Sequence, residues 1–224
     1  MSAGEEATEL LTGEDTIEVV RAGEEFGVAA LDHAAWGAAR PVPLTRYWSG
    51  EAAPPERHAE ARLLWTGEAL LARFDCRQAE PLIVNPSPRL ERKTPRLWER
   101  DVCELFVAPD PRRPEHYFEF EAAPTGEWLD LEIDWREDVR ETDWDYRSGM
   151  SAAARVNAGS VVVALRVPWR AFGRAPRAGE RWRANLFRCV GADPDRGYLA
   201  WHPTHTPEPS FHVPHAFGWL EFGP

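Results

Sequence analysis

The sequence predicts an all-β protein, folded as an antiparallel β-sandwich of the jelly-roll type. Short segments alternate apolar and polar residues, which is the period of strands that bury one face. Glycine, proline and asparagine separate these segments at regular intervals, as in sandwiches and jelly rolls. Neither a long amphipathic helical pattern nor an internal repeat interrupts them. We therefore expect residues 16–224 to form one domain, preceded by a loose N-terminal arm at residues 1–15.

Strand patterns extend along the whole chain. The first is weak and predicts an edge strand, and several later ones are joined by turn sequences such as Thr66-Gly67-Glu68 that predict hairpins. The predicted strands are residues 16–21, 59–65, 69–75, the end of segment 97–107, 116–122, 127–135, 150–156, 160–167, 181–190 and 217–222.

The segments between these strands differ in composition. Residues 31–36 predict one helical turn, with Asp32 as its cap, and residues 168–173 predict a turn that closes one end of the sandwich. Residues 77–100 contain four prolines and no clear period, so they predict a long structured loop. Residues 136–149 are rich in charge and predict a second loop.

One stretch pairs an aromatic side chain with an acid. Trp98 precedes a strand in which Cys103, Leu105 and Val107 point to the core, so Glu104 points to the opposite face. A flat indole stacks on the C–H face of a sugar ring, and a carboxylate accepts hydrogen bonds from its hydroxyls. The stretch therefore indicates saccharide binding.

Further acids follow on the neighbouring predicted strands. If these strands adjoin, one sheet face carries an acidic band bordered by aromatic loops. The simpler interpretation is a solvated face whose acids pair with Arg166, Arg183 or Arg188. The residues expected in the band are Glu104, Tyr117, Glu119, Glu121, Asp130 and Glu132.

The amino-acid composition narrows the classes of possible binding partner. The 224 residues include 11 tryptophans, more than a core of this size needs, so some are expected at the surface. A net charge of -11 and a pI of about 5.2 disfavour nucleic acid, which attracts basic surfaces. No apolar run is long enough to span a membrane. The N-terminus lacks a signal-peptide pattern, so as written the protein is expected in the cytoplasm, or secreted if a leader was removed.

Metal-ligand and catalytic motifs are weak or missing in the sequence. Cys76, Cys103 and Cys189 lack the spacing of metal ligands and fit a reducing compartment. The sequence is also compatible with one disulfide among them. His-x-x-His occurs twice in residues 201–215, which raises a zinc hypothesis without a helical context. Residues 191–197 offer two acids but no calcium ligand ladder. Phosphate-loop, dinucleotide and nucleophile-elbow motifs are absent from the sequence.

Three patches together resemble the family 9 carbohydrate-binding modules and their single-domain bacterial relatives. The resemblance extends over about residues 15 to 222, and the order of the patches is more specific than any patch alone. The patches are residues 97–106 with 117–120, residues 162–169 with 182–188, and residues 198–203 with 211–218.

The resemblance implies a β-sandwich that binds the ends of glycan chains. In the family two tryptophans clamp a terminal sugar, and Trp98 and Trp201 match the two clamp positions. Glu104 matches the glutamate that binds sugar hydroxyls, whereas Glu121 and Arg188 are carried over only by strand position. Structural calcium also occurs in the family, but its ligands do not map onto this chain.

Two other functions stay open on the sequence. A glycan-processing enzyme would use Glu104 with Glu119 or Glu121 as paired carboxylates. A degenerate sandwich would serve protein contact alone. Haem, which related sandwich domains bind through Met, Lys or His, is poorly supplied here because Lys93 is the sole lysine and Met150 the sole internal methionine.

Overall fold

A computed structural model describes residues 15–137 and 139–224, and it confirms the predicted all-β fold. Short 3-10 helices lie at Ala34–Ala38, Pro55–Arg57, Leu97–Glu99, Trp169–Phe172 and Pro214–Ala216. The strands are β1 (Thr16–Arg21), β2 (Val42–Leu44), β3 (Arg46–Tyr47), β4 (Ala59–Trp65), β5 (Ala69–Arg77), β6 (Val102–Ala108), β7 (His116–Ala122), β8 (Trp128–Arg136), β9 (Val139–Asp143), β10 (Ser151–Asn157), β11 (Ser160–Pro168), β12 (Arg181–Val190), β13 (Gly197–Ala200) and β14 (Gly218–Phe222).

The strands join into one curled, mixed sheet. Its main order is β10-β11-β5-β4-β1-β14-β12-β6-β7-β8-β9, with β2 beside β4 and β13 between β12 and β3. β1 is parallel to both of its neighbours, β14 and β4. The expectation of a purely antiparallel sheet is therefore wrong at β1. This strand is also not an edge, because it joins the two halves of the sheet.

The main hydrophobic core lies between the two halves of this sheet. One half contributes Leu63, Phe74 and Val163, and the other contributes Leu105 and Trp182, among other buried side chains. The inward-facing alternation predicted for β6 is confirmed, because Cys103, Leu105 and Val107 all belong to this core. Trp169 of the predicted closing turn also packs into it.

A second hydrophobic cluster covers the opposite face of β6, β7, β8 and β12. Phe106, Tyr117 and Phe187 belong to it, together with Phe211 from the segment after β13. The Phe211 ring stacks on Phe187 with centroids 4.0 Å apart. Because residues 209–217 fold over this face, β6 is buried on both sides instead of half-buried as predicted.

Most predicted strands are confirmed, and the differences are local. The 3-10 helix Ala34–Ala38 begins within the predicted turn 31–36, and residues 77–100 form a long loop as expected. The segment 136–149, predicted as loop, contains β9, which pairs with β8. The predicted N-terminal arm, residues 1–15, lies outside the described residues apart from Asp15.

The three cysteines are buried and free. Cys76 Sγ lies 3.6 Å from Cys103 Sγ, which is a thiol contact and not a disulfide distance. In the part of the chain that the structure describes, no helix has both the length and the apolar character needed to cross a membrane.

Candidate functional site

A cavity of about 280 Å³ opens on the outer face of the sheet, beside the second hydrophobic cluster. Strands β6 to β9 form its floor and one side, and residues 209–212 close it from above. Aromatic and titratable side chains meet in this one cavity. They include Trp98, Glu104, Glu119, Arg140, Trp144 and His212.

Two indoles stand at the mouth of the cavity. The ring centroids of Trp98 and Trp144 lie 6.1 Å apart, with their planes inclined by 47°. Trp144 is 47% exposed and Trp98 half-buried, so both keep apolar surface available to a ligand. Partly exposed aromatic surface beside polar groups is typical of saccharide sites, because one ring face can stack while the rest stays in contact with water.

Local structure fixes the position of Trp98. It lies in the 3-10 helix Leu97–Glu99, which packs against the sheet through the fully buried Leu97. Arg96 precedes this helix with φ 61°, in the left-handed region. The Trp98 carbonyl accepts a hydrogen bond of 2.8 Å from the Arg196 guanidinium, which also binds the Arg100 carbonyl.

A buried ion pair holds the segment that follows Trp144. The Lys93 ammonium lies 3.0 Å from Asp130 Oδ1 and donates to the Tyr146 carbonyl at 2.8 Å. Asp130 Oδ2 accepts from both the backbone N–H and the hydroxyl of Ser148, each at 2.7 Å. One lysine thus connects the long loop 77–100, strand β8 and the segment that carries Trp144.

The floor of the site is acidic. Glu104 and Glu121 face each other across β6 and β7, and Glu119 is two residues before Glu121 on the same face. Oxygens of the three carboxyl groups lie within 4.8 Å of one another, and none of the three residues is more than 2% exposed. Burial raises the pKa of all three carboxyls, and the neighbouring glutamates raise the pKa of Glu104 and Glu121 further.

Two basic side chains border this floor. His212 Nδ1 is 2.8 Å from the Tyr117 hydroxyl, and His212 Nε2 is 3.8 Å from Glu119 Oε2. Burial, together with the positive charge of Arg140, lowers the pKa of His212 to about 3, so its imidazole is neutral near pH 7. Arg140, exposed on β9, also lowers the pKa of Glu119 against the larger effect of burial.

Of the predicted site residues, the structure brings Trp98, Glu104 and Glu121 together. Trp201 lies elsewhere: it packs against the main core and lines a different cavity, of about 790 Å³, beside Asp15 and His202. Trp98 packs against the cluster on the opposite side of the sheet. The predicted pairing of Trp98 with Trp201 is therefore wrong, because the two indoles belong to opposite sheet faces.

Arg188 is also outside this cavity. Its neighbour Phe187 lies opposite Glu104, so Arg188 points to the other face of β12. There its guanidinium donates to the Arg57 carbonyl at 2.7 Å and to Gln78 Oε1 at 2.6 Å. Arg188 is 3% exposed and ties the loops around Arg57 and Gln78 to the sheet.

The predicted acidic band ends at β7. Glu119 pairs with Leu131 and Glu121 with Leu129, so β8 presents leucines to the site. Asp130, like Glu132, belongs to the opposite face, where it binds Lys93. The pairing register of β7 and β8 thus decides which side chains of β8 share a face with Glu119 and Glu121.

Sequence reasoning missed the residues that follow β8. Trp144, Arg140 and Thr142 line the cavity, but they lie in the segment predicted as a charged loop. No alternation of apolar and polar residues marks 139–143 as a strand, because every residue but Val139 is polar. A strand with few apolar residues lacks the period on which the other predictions rested.

The remaining metal motifs do not form clusters. Within residues 15–137 and 139–224, the three glutamates are the one group of three or more acids, histidines or cysteines with converging ligand atoms. His205 Nδ1 instead lies 3.0 Å from the Ser49 carbonyl. In the turn 191–197, the Gly191 carbonyl accepts from Arg196 and its N–H donates to Asp101, so the turn is held by the protein's own groups.

The chain matches one protein family and several solved structures. Residues 45–222 match the family described as carbohydrate-binding family 9. A search of curated proteins by sequence finds no match. Among solved structures, a candidate carbohydrate-binding protein from Bacteroides uniformis superposes with a TM-score of 0.72 at 20% identity, covering 92% of this chain and 97% of that chain.

Two further similar structures are of a family 9 carbohydrate-binding module from Caldicellulosiruptor kristjanssonii. The complex with glucose gives a TM-score of 0.63, and the complex with cellotriose gives 0.64, both at 12% identity. Each covers 93% of this chain, and 96% and 93% of the respective modules is covered in return. At these identities the similarity establishes the shared fold.

Proposed function

The chain belongs to carbohydrate-binding family 9, and on this basis we propose that the cavity beside Trp98 and Trp144 binds the terminal unit of a saccharide chain. The observation that carries the proposal is the arrangement of two indoles, 6.1 Å apart, above a floor of carboxyl groups. A sugar ring has apolar C–H faces and a polar hydroxyl rim, and this cavity offers a partner to each.

The size of the cavity supports one bound sugar unit. About 280 Å³ is close to the lower limit of roughly 300 Å³ that is usual for small-ligand pockets. A monosaccharide, or the last unit of an oligosaccharide, suits such a space better than an internal stretch of polysaccharide. The remainder of the chain would leave through the opening beside the exposed Trp144.

Polar groups at the rim are placed to bind hydroxyls. Arg140 and Thr142 line the cavity from β9, and Ser210 lines it from the covering segment. An arginine can donate two parallel hydrogen bonds to vicinal hydroxyl oxygens, and the hydroxyls of Thr142 and Ser210 can donate or accept. Glu104 accepts hydrogen bonds from sugar hydroxyls in this proposal, which is the role that the family resemblance implies for it.

The relatives suggest the saccharide class. The Caldicellulosiruptor kristjanssonii modules were solved with glucose and with cellotriose, so glucose-based chain ends are the first ligands to test. We propose this ligand class for the present chain because its cavity combines aromatic walls with a polar floor, as a glucose ring requires.

Of the two carbohydrate functions, saccharide binding without catalysis is better supported than glycoside hydrolysis. A glycosidase needs one ionised carboxylate beside a protonated one. Burial raises the pKa of Glu104, Glu119 and Glu121 in the same direction, so their environments do not mark one of them as the acid and another as the base. An aryl-glycoside panel, with Glu104→Gln as the inactive control, would reveal turnover if it exists.

The experiment that tests the proposal is calorimetric titration of the protein with glucose, cellotriose and xylotriose. A cyclic β-glucan, which has no chain end, serves as the matched control. We expect saturable binding of at least one linear saccharide and none of the cyclic one. Binding of the cyclic glucan as tightly as the linear one would contradict the chain-end assignment, and inertness to the whole panel would refute saccharide binding.

A further inference from the structure

The three glutamates on the cavity floor form an unusual group for a protein interior. Glu104, Glu119 and Glu121 come from adjacent strands, and their carboxyl oxygens lie within 4.8 Å of one another. All three side chains are buried. Carboxylates this close repel each other, and a buried charge is costly unless a counter-charge or hydrogen-bond donors compensate for it.

Donors for these acids are scarce in the described part of the chain. No donor outside the cluster reaches either oxygen of Glu121, nor Oε2 of Glu119, although the carboxyls of Glu119 and Glu121 are close enough to share a proton. Glu104 Oε1 has only the thiol of Cys189 at 3.5 Å, which is a weak donor. At least one fully buried carboxyl group, that of Glu121, therefore points into the cluster without a donor from outside it.

Other buried acids of the described residues have a cation or hydrogen-bond donors beside them. Asp130 has the Lys93 ammonium at 3.0 Å and two donors from Ser148. Glu127 accepts from Asn85 Nδ2 at 3.0 Å, among other donors. The protein thus supplies a cation or donors where a buried carboxylate is structural, and the cavity floor is the exception.

A nitrogen ligand stands beside the cluster. His212 Nε2 lies 3.8 Å from Glu119 Oε2, and its other ring nitrogen lies 2.8 Å from the Tyr117 hydroxyl. When Nδ1–H donates to the Tyr117 oxygen, the lone pair of Nε2 faces the glutamates. A second hydrogen bond that orients the ring in this way is the usual support of a metal-binding histidine.

We propose that Glu104, Glu119 and Glu121 bind a divalent metal cation at the floor of the cavity, and that His212 Nε2, which lies 3.8 Å from Glu119 Oε2 but outside this group of converging atoms, moves in as a fourth ligand. Two ligands on opposite sides of Ca²⁺ lie about 4.6–5.2 Å apart, so oxygens within 4.8 Å of one another can enclose an ion of this size or smaller. Carboxylates with an imidazole nitrogen favour a first-row ion such as Mn²⁺ over Ca²⁺.

The position of this cation has a consequence for ligand binding, which rests on the function proposed above. Glu104, Glu119 and His212 also line the cavity, so the open coordination positions of the ion would face it. Two vicinal hydroxyls of a sugar can fill such positions in place of water. The cation would then convert a floor of mutually repelling acids into a site for hydroxyl oxygens.

The test begins with protein treated with EDTA and dialysed into metal-free buffer at pH 7.5, which is then titrated with Mn²⁺ and, separately, with Ca²⁺. We expect one Mn²⁺ per chain, weaker binding of Ca²⁺, and a higher melting temperature with Mn²⁺ bound. Glu121→Gln and Glu119→Gln are expected to weaken Mn²⁺ binding by at least about 10- to 100-fold, the range known for groups that only support a ligand.

Glu60→Gln, an exposed acid on β4, is the matched control and should bind Mn²⁺ as the parent does. Circular dichroism checks that each variant is folded; the Glu→Gln changes remove a like charge and keep the shape, so folding should be retained. Failure of the folded parent to bind either ion would overturn the proposal. Equal Mn²⁺ binding by the parent and Glu121→Gln would do so too.

Titrations of the same samples with cellotriose and the other linear saccharides of the panel, with and without Mn²⁺, separate the two proposals. Mn²⁺ binding without saccharide binding would refute the proposed function and support the metal site. Saccharide binding by protein that binds neither ion would refute the metal site and leave the proposed function intact. Binding of both, with cellotriose affinity raised by Mn²⁺, supports both.

Discussion

Trp98 and Trp144 are neighbours across the mouth of the cavity, with ring centroids 6.1 Å apart, although they are 46 positions apart in the chain. Trp98 belongs to a 3-10 helix before β6, and Trp144 follows β9 at the end of the sheet. Two elements at different ends of the β6–β9 meander thus supply one aromatic surface, which makes each indole separately testable.

We expect Trp98→Ala and Trp144→Ala each to weaken saccharide binding by roughly 30-fold, because truncating an aromatic anchor typically costs about 2 kcal/mol. Trp201→Ala is the matched control, since Trp201 lines the other cavity. Titration calorimetry measures the affinities, and thermal denaturation checks that each variant is folded. Loss of affinity in Trp201→Ala but not in Trp144→Ala would contradict the site described here.

Lys93 should affect both stability and affinity. Lys93→Met leaves the carboxylate of Asp130 buried without its cation, and breaking such a pair typically costs about 3–5 kcal/mol. It also removes the hydrogen bond to the Tyr146 carbonyl, so the segment that carries Trp144 should loosen and saccharide affinity should fall.

Urea unfolding of Lys93→Met measures the stability loss. The double variant Lys93→Met/Asp130→Asn is the control, because it removes the unpaired charge along with its partner. We expect the double variant to be more stable than Lys93→Met alone. If the double variant were the less stable of the two, the buried pair would not be the cause.

Arg188 is expected to support the fold and not ligand binding. Arg188→Ala leaves the Arg57 carbonyl and the Gln78 side chain without their donor, which should lower the free energy of unfolding by about 1–3 kcal/mol. Saccharide affinity should stay within roughly twofold of the parent, since Arg188 lies on the other face of the sheet. A large loss of saccharide affinity with unchanged stability would show that Arg188 takes part in ligand binding.

Metal-free protein should lose stability as the pH rises. Burial raises the pKa of Glu104, Glu119 and Glu121 above the value of the unfolded chain, so the folded state keeps protons that the unfolded state has released. Folding stability is then complete below about pH 4.5 and falls as pH rises toward the folded pKa. The decrease is about 1.4 kcal/mol per pH unit for each carboxyl that stays protonated only in the folded state.

Burial lowers the pKa of His202 and His212, which gives the opposite slope below about pH 6.5. The comparison therefore uses urea unfolding at pH 7 to 9 with EDTA present, where both histidines are neutral in either state. Glu121→Gln should gain stability relative to the parent as the pH increases over this range. A constant difference between the two proteins would show that Glu121 is ionised in both states.

Local chemistry made much of the fold predictable. The β4–β5 and β10–β11 hairpins follow from alternation joined by turn residues, and both are present with the expected pairing. The position of Glu104 on the face opposite Cys103 also follows from the two-residue period of a strand. These features depend on residues that are close in sequence, where backbone geometry leaves few alternatives.

Alternation identifies two faces of a strand but does not say what covers each of them. Glu104 is buried and not solvated because residues 209–217 fold over its face of the sheet. The predicted band of acids stops at β7 because the β7–β8 register places Leu129 opposite Glu121. If that turn were one residue longer or shorter, the acids of β8 would lie on the same face as Glu121.

The sequence by itself determined that the chain is all-β and that its family is one of carbohydrate-binding proteins, and it predicted Trp98 and Glu104 as binding residues. Only the tertiary structure decided that Trp144 and not Trp201 stands beside Trp98, and that three glutamates converge in the interior. The physical reason is that strand period and turn chemistry are local, whereas the partner of an indole or a buried carboxyl is set by which distant segments the sheet brings onto the same face.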